Sequence, residues 1–253
     1  MAAPLVNPWL PSDDGVAEVL REATFGELVG VYESSNYVFL ARLQHPDRGA
    51  GLAIYKPARG ERPLNDFPYG TLHHREVAAY ELSRLLGWDI VPPTVECDGP
   101  HGEGSLQLYV AHDPAEHYFV LRDDEALAEQ LVRLAVFDLL ANNADRKGGH
   151  ILCDDARRLW AIDNGLCFHA QEKLRTVIWD FAGAPIPALL LDDLTRVRDA
   201  LEAGGQPGDV GAPEVERLRP TERSALAMRV RHLLAEPVLP EMYPWRCTPW
   251  PLI

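Results

Sequence analysis

The chain has 253 residues, of which 47% are hydrophobic, so it can bury a substantial core in one large domain or in two small lobes. Its formal net charge of −14 argues against nucleic acid as the main partner and against docking on an anionic membrane. The four cysteines show no C-x-x-C spacing and indicate reduced thiols in a cytoplasmic protein. No apolar run reaches about 18 residues, so we expect neither a membrane span nor a signal peptide.

The first predicted elements are a short helix and two strands. The helix covers residues 16–23, and Asp13 or Asp14 is the expected cap at its N-terminus. Segments 25–31 and 37–43 are rich in apolar residues and predict two strands joined by a polar link.

Three good turn formers, Ser34, Ser35 and Asn36, lie in that link. Their free backbone N–H groups and the two hydroxyls could face a phosphate group. A simple polar hairpin tip explains the same residues equally well. A glycine-rich phosphate loop would be a stronger signal, and the sequence has none.

A lysine and a glutamate mark the next strand and helix. The strand covers residues 51–57 with Lys56 near its end, and the helix runs from 72 to 86 and ends at Gly87. Glu76, in the first two turns of this helix, could meet the amine of Lys56 and hold it toward the phosphates of a nucleotide. The alternatives are a lysine solvated at a rim and a glutamate solvated near a helix N-terminus.

The connection between that strand and helix, residues 58–70, is long, and long structured loops are often functional. Arg59 and Arg62 could clamp phosphate or substrate. The favoured interpretation is a loop that is only packed, and Arg75 beyond it could be a surface residue. The packing side chains are expected to be Leu64, Phe67 and Tyr69.

The middle of the chain predicts an extended segment at 91–95 and a strand at 105–110. Residues 111–116 then form a loop that is a natural boundary between two halves. Backbone groups of this loop could bind an adenine ring.

The second half predicts mainly helices. A helix over residues 124–141 is apolar on most sides, so Asp138 within it must be hydrogen-bonded and is interpreted as a structural brace. A Gly/Pro-rich break at 204–213 precedes an amphipathic helix at 221–235. We expect the aromatic tail at 243–251 to pack on the body of the protein, with an exposed docking strip as the alternative.

Two turn aspartates, Asp145 and Asp163, lie on either side of a predicted hairpin. A hairpin brings its strand ends side by side, so these two carboxylates should lie close together. Such a pair suits magnesium and a nucleoside triphosphate, because one carboxylate can hold the metal while the other orients the attacking group.

The order of these elements resembles the protein-kinase-like fold, and in particular its atypical branch. The sequence is similar to bacterial proteins related to phosphatidylinositol 3- and 4-kinases and, more distantly, to HipA-type toxin kinases. The sequence most resembles an actinobacterial group of such proteins. The stretches that carry this resemblance are SNYVFLARL, YKPARGERPLNDFPYGTLHHREVAAYELSRLLGW, VPPT, NNADRKGGHIL, IDNGLCFH and KLRTVIWDFAG. The resemblance implies a single α+β kinase-like unit, with an antiparallel sheet N-lobe at 1–112 and a mainly helical C-lobe at 113–253.

The resemblance also assigns roles to five residues. Lys56 would be the phosphate-binding lysine and Glu76 its partner. Asp145 would be the catalytic aspartate that accepts the substrate proton, and Asn143 matches the asparagine that precedes it in the toxin kinases. Asp163, followed by Asn-Gly, would be the metal-binding aspartate. The turn with Ser34 and Ser35 resembles the serine-bearing phosphate loop of the lipid kinases.

One position departs from the family pattern. Five residues after the catalytic aspartate the family usually has an asparagine that binds a second metal, and here the residue is His150. Imidazole suits manganese better than magnesium, so the site could use one metal, use manganese or turn over weakly. His150 could also be a structural hydrogen-bonding residue. The neighbouring Arg146 and Lys147 could hold phosphate or could be surface charges.

The leading hypothesis is an ATP-dependent phosphotransferase that uses Mg²⁺ or Mn²⁺ and acts on a protein or small-molecule hydroxyl. The acidic chain makes a lipid head group less suitable as acceptor. A nucleotide-binding pseudokinase or regulator is the second hypothesis, and an AMP transferase on the same fold is the third. A hydrolase ranks last because it leaves Lys56 and Glu76 without a role.

Overall fold

A five-stranded antiparallel sheet forms most of the N-lobe in the computed structural model, which describes residues 6–31, 36–203 and 215–253. The strand order is β1-β2-β3-β5-β4. The strands are β1 (Thr24–Gly30), β2 (Phe39–His45), β3 (Gly49–Pro57), β4 (Thr94–Gly99) and β5 (Gly102–Leu108). The predicted antiparallel N-lobe sheet is therefore confirmed.

The last two strands are displaced from their predicted positions. The sequence predicts an extended segment at 91–95 and a strand at 105–110, whereas β4 begins at Thr94 and β5 begins at Gly102. A two-residue turn, Pro100 and His101, joins them, and Gly102 beyond it has a φ of 94°. Glycine adopts this conformation without steric cost, so the hairpin closes earlier than the alternating apolar pattern suggests.

Helix α1 (Val16–Glu22) is present as predicted and packs on the sheet, but the predicted cap by Asp13 or Asp14 is wrong. Gly15 is the N-cap residue, with a φ of 71°, and no side chain caps the helix. The Asp13 carboxylate instead accepts hydrogen bonds from the Leu10 N–H at 3.1 Å and the Arg48 guanidinium at 2.6 Å. Asp13 therefore joins the arm before the helix to the turn between β2 and β3.

Helix α2 (Leu72–Leu85) lies against β4 and β5, and Gly87 after it has the left-handed φ of 71° that ends many helices. Its N-cap residue, Thr71, makes no capping hydrogen bond. The buried carboxylate of Glu61 replaces that cap, because it accepts from the Leu72 N–H at 2.9 Å and the His73 N–H at 3.4 Å. The loop before α2 thus fixes the start of the helix.

Only part of the predicted packing in that loop is present. Phe67 is buried, whereas Leu64 and Tyr69 are exposed. The Arg75 guanidinium stacks over the Phe67 ring, with its central carbon 5.0 Å from the ring centroid. One aromatic side chain therefore anchors the loop, and the other two face outward.

The C-lobe is mainly helical, with one small hairpin. A 3-10 turn capped by Asp124 begins the predicted 124–141 helix, and the predicted 221–235 helix is present, while the Gly/Pro-rich break at 204–213 lies outside the described residues. The elements are α3 (Tyr118–Leu121), α4 (Ala128–Ala141), β6 (Ile151–Cys153), β7 (Leu159–Ala161), α5 (Ala188–Glu202) and α6 (Pro220–Ala235). Helix α6 packs on α4 and α5, and β6 pairs with β7.

The aromatic tail packs on the C-lobe through the buried residues Cys247 and Pro249. The ring of Tyr243 also packs there, with its centroid 5.8 Å from that of Trp179. The Cys247 carbonyl accepts hydrogen bonds from the Thr176 N–H at 3.0 Å and the Trp179 indole N–H at 3.3 Å. Trp245 and Trp250 remain exposed, which corrects the expectation that the whole tail is covered. No helix in the described ranges combines the length and apolar character needed to cross a bilayer.

Candidate active site

Lys56 and Glu76 form the centre of the site. Lys56 Nζ, at the end of β3, lies 2.5 Å from Glu76 Oε1 on α2. The Glu76 side chain is only 3% exposed, so it is not the solvated charge that the sequence left as an alternative. Burial alone would lower the pKa of Lys56, but the charges of Asp163 and Glu76 raise it above its ordinary value. Lys56 is therefore held as a cation.

Asp163 meets the same lysine from the C-lobe. It follows β7 with a φ of 57°, and its Oδ1 lies 2.8 Å from Lys56 Nζ. The side chain is half-exposed, and the charge of Lys56 holds the pKa of Asp163 well below its ordinary value. Glu76 Oε2 accepts a hydrogen bond from the Asn164 N–H at 3.0 Å, which attaches α2 to the loop that carries Asp163.

His150 contacts the other oxygen of Asp163. Its Nε2 lies 3.3 Å from Asp163 Oδ2, and its Nδ1 accepts from the Lys147 N–H at 3.4 Å. Burial lowers the pKa of His150 to about 4, so the ring is neutral at pH 7. Because Nδ1 is an acceptor, the single ring proton belongs on Nε2 and points at Asp163. In this arrangement His150 lies beside Asp163 and has no lone pair at Nε2 for a metal.

Asp145 lies in the loop between α4 and the β6–β7 hairpin. Its carboxylate is 3.3 Å from Lys147 Nζ, and its N–H donates to Asn143 Oδ1 at 2.9 Å. Asn143 is fully buried, so it supports the loop from beneath. Burial raises the pKa of Asp145, although the nearby charge of Lys147 opposes that rise.

Both interpretations that the sequence allows for Arg146 are wrong, because its side chain is 0% exposed. Its guanidinium donates to the Asp138 carboxylate at 3.0 Å, the Ile162 carbonyl at 2.6 Å and Asn164 Oδ1 at 2.7 Å. It is neither a surface charge nor placed to contact phosphate. It joins α4 to the loop that carries Asp163, and Asp138 is the brace that the sequence predicted.

Arg75 is also buried, which corrects its interpretation as a surface residue. It donates to the Cys167 carbonyl at 2.6 Å and forms an ion pair with Glu222 on α6. The helix that carries Glu76 is thus attached to the C-lobe. Sequence reasoning missed Glu222 and Asn164, although the Glu222 position at the start of a predicted helix was visible.

The predicted phosphate-loop residues Ser34 and Ser35 lie outside the described residues. Asn36 is described, and its Oδ1 accepts from the Arg62 N–H at 3.0 Å. The Tyr37 N–H also donates to the Gly60 carbonyl at 3.2 Å. The end of the predicted phosphate turn is therefore joined to the loop between β3 and α2.

An apolar cluster lies where the chain passes between the lobes. Val110, Leu152 and Trp160 are buried together, with Ile162 packed against them. Val110 follows β5, and the other three residues come from the β6–β7 hairpin, whose continuation carries Asp163. These side chains form an apolar cluster whose last member in the sequence, Ile162, directly precedes Asp163 in the chain.

The donor set suits an oxygen-preferring metal. Within the described ranges, no group of three or more His, Cys, Asp or Glu side chains is arranged so that it could hold a metal ion by itself. Magnesium, however, needs only one or two carboxylates when phosphate oxygens and waters complete its shell. The half-exposed carboxylate of Asp163 fits that requirement.

No family model matches this sequence. The chain is 39% identical over 266 aligned positions to Protein Rv2133c of Mycobacterium tuberculosis, with 92% of this chain and 94% of that protein covered. This chain belongs to the Rv2133c family. The more distant likeness to phosphatidylinositol kinases and HipA-type kinases stays a prediction.

Two solved structures resemble the fold. Hydra Fam20, solved with sugar, matches with a TM-score of 0.54 at 16% identity, covering 89% of this chain and 90% of that chain. CtkA, a proinflammatory kinase of Helicobacter pylori, matches at 13% identity over 87% of this chain and 94% of that chain, and its TM-score of 0.44 is too low to support an argument. The predicted two-lobed kinase-like fold is confirmed.

Proposed function

We propose that this protein is an ATP-dependent phosphotransferase that acts on the hydroxyl group of a protein or small molecule. The observation that carries the proposal is the position of Lys56 Nζ, 2.5 Å from Glu76 and 2.8 Å from Asp163. Three segments distant in the sequence converge on one cation. Lysine held in this way is a ready ligand for the phosphates of a nucleotide.

The apolar cluster accommodates the other end of the nucleotide. The adenine ring packs beside Val110, Leu152 and Ile162, and the triphosphate extends toward Lys56. Asp163 would hold Mg²⁺ or Mn²⁺, which when bound neutralises charge on the phosphate oxygens. His150 keeps the Asp163 carboxylate oriented through the proton on Nε2.

Asp145 acts on the acceptor. Its carboxylate orients the hydroxyl and takes its proton as the acceptor oxygen bonds to the γ-phosphorus and the bond from that phosphorus to the ADP oxygen breaks. Lys147, 3.3 Å from Asp145, neutralises charge beside the transferred group. Asn143 keeps the loop in place from below through the Asp145 N–H.

Labelled ATP tests this proposal. Wild-type protein is incubated with ATP labelled at the γ- or α-phosphate, with Mg²⁺ or Mn²⁺, and both acceptor labelling and phosphate release are followed. We expect transfer of the γ-label and its loss in Asp145→Asn, with turnover reduced about 10²–10⁴-fold. Asp155→Asn, the same change at an exposed position in the β6–β7 turn, is the matched control.

Calorimetry with ATP separates the alternatives. Wild type should bind ATP, and Lys56→Met should bind it much more weakly. The orientation of His150 favours a nucleotide-binding regulator as the second candidate, because its Nε2–H leaves the usual second-metal position without a lone pair. ATP binding without any transfer would support that candidate, transfer of the α-label would support AMP transfer, and no ATP binding would end the proposal.

A further inference from the structure

A short segment around Arg175 lies beside the catalytic loop like a neighbouring parallel strand. The Arg175 N–H donates to the Asn143 carbonyl at 2.8 Å, and the Arg175 carbonyl accepts from the Arg146 N–H at 2.9 Å. The Val177 N–H donates to the Arg146 carbonyl at 3.2 Å, so Arg146 and Thr176 form a parallel bridge. The loop that carries Asp145 is therefore held by main-chain hydrogen bonds.

This pairing fixes which side chains share a face. Arg146 and Thr176 both point into the C-lobe, because each donates a hydrogen bond to the Asp138 carboxylate, at 3.0 Å and 2.9 Å. Side chains alternate along paired extended segments, so the preceding residues of each segment point the other way. Asp145 and Arg175 are those residues, and they lie side by side on the open face.

The Arg175 guanidinium differs from the neighbouring lysine ammonium groups in its pairing with carboxylates. Lys147 pairs with Asp145 at 3.3 Å, and Lys173 pairs with Asp66 at 2.9 Å. Within the described ranges, the half-buried Arg175 side chain makes no hydrogen bond or ion pair. Burial raises the pKa of Asp145, and the Arg175 charge is among those that oppose this rise, which agrees with their proximity.

An arginine in this setting suits an anion. The guanidinium is always charged and offers a planar set of donors that matches a carboxylate or a phosphate group. A protein with a net charge of −14 repels anions in general, so cations at one point of its surface act selectively there. Lys56 and Asp163 serve the nucleotide, whereas Arg175 stands on the Asp145 side, where the acceptor enters.

We propose that the acceptor carries an anionic group, a carboxylate or a phosphate, which Arg175 binds while Asp145 receives the hydroxyl proton. The inference rests on the proposed phosphotransferase function and names the substrate class of the same site. Arg175 is a specificity-determining residue in this scheme. Binding of the anion places the hydroxyl at Asp145 and excludes acceptors that lack the charge.

The test compares acceptors that differ only in charge. One arm uses three serine peptides flanked by aspartate, alanine or lysine, and the other uses glycerol and glycerol 3-phosphate. We expect wild type to favour the anionic member of at least one arm by about 10–100-fold in kcat/KM, the effect of one charge-assisted contact. The arm that shows the preference identifies the source of the anion.

Three variants of the chain test whether the preference for anionic acceptors depends on Arg175. Arg175→Gln should remove it by raising KM for the anionic acceptor, with kcat nearly unchanged, and Arg175→Lys should restore part of it. Arg21→Gln, the same change on the distant and exposed α1, should leave it intact. Binding of ATP, measured by calorimetry, should be equal in all three variants and wild type.

The outcomes separate this inference from the function on which it rests. Wild type that binds ATP but shows no anionic preference in either arm overturns the inference and leaves the kinase proposal standing. A preference that survives in Arg175→Gln overturns the role of Arg175. Failure of the wild-type protein to bind ATP would contradict the proposed function itself. If Arg175→Gln does not fold, the preference of the wild-type protein between anionic and uncharged acceptors still tests the inference.

Discussion

The two sides of the site are built differently. On the proposed nucleotide side, Glu76 and Asp163 both contact Lys56 directly, and the three residues come from different parts of the chain. On the acceptor side, Asp145 is positioned by main-chain hydrogen bonds and by the buried Asp138–Arg146 pair beneath it. The first side fixes charged atoms before any ligand arrives, whereas the second fixes the backbone and leaves charges available for the acceptor.

The buried pair on the acceptor side gives the largest expected effect. Arg146→Met leaves Asp138 buried without its cation, which should lower the free energy of unfolding by about 3–5 kcal/mol. Urea unfolding followed by circular dichroism measures it. Arg157→Met removes an arginine from two exposed ion pairs and should lower the free energy of unfolding far less, because water screens both pairs. Equal losses in the two variants would contradict the buried-brace role.

A pH effect is expected from His150, which stands between the two sides. Burial lowers its pKa to about 4, from 6.5 in the unfolded chain. Between these values the unfolded state binds a proton that the folded state does not, so stability rises with pH across this window and levels off above it. The change in the free energy of unfolding that His150 causes across this window is roughly 3 kcal/mol at most.

Unfolding curves of wild type and His150→Asn in metal-free buffer, at pH 5, 6 and 7.5, measure this effect. The difference between the two proteins should favour wild type increasingly as pH rises, and it should be constant above pH 7. Parallel pH profiles for the two proteins would show that the ring is not held neutral by its surroundings.

A smaller effect is expected on the nucleotide side. Glu76→Gln keeps the shape of the side chain but removes its charge from Lys56 and weakens its acceptance of the Asn164 N–H. Loss of one charge-assisted hydrogen bond should cost about 2 kcal/mol of stability and weaken ATP binding about tenfold. Calorimetry measures the affinity, and Glu103→Gln on the exposed side of β5 is the matched control. Unchanged affinity would show that Lys56 needs no partner.

The smallest effect is expected at the Lys173–Asp66 pair, which joins the loop before α2 to the segment before Arg175. The Asp66 carboxylate is exposed, and Lys173 lowers its pKa. Asp66→Asn should change the unfolding free energy by less than about 1 kcal/mol, and the difference should shrink in 0.5 M salt. A larger or salt-independent loss would place this pair among the structural braces.

The two sides also differ in how far the sequence predicts them. Lys56, Glu76 and the hairpin between Asp145 and Asp163 are recognisable because local patterns place them at strand ends and helix starts. The burial of Arg146 is not recognisable, since a charged residue in a polar turn is usually exposed. Its partners become visible only when the fold brings α4 and the loop after β7 together. In the same way, only the fold reveals Glu222 as the partner of Arg75 and Glu61 as the cap of α2.

The attachment of α2 to α6 has a consequence for the speed of nucleotide binding. The buried Arg75–Glu222 ion pair and the Arg75 bond to the Cys167 carbonyl hold this helix in place without ligand. Rotation of α2 away from the site would leave both charges buried and unpaired, which is costly. If the protein binds ATP as proposed, the nucleotide meets one conformation, and the observed binding rate should rise linearly with ATP concentration, in a single phase and without a plateau.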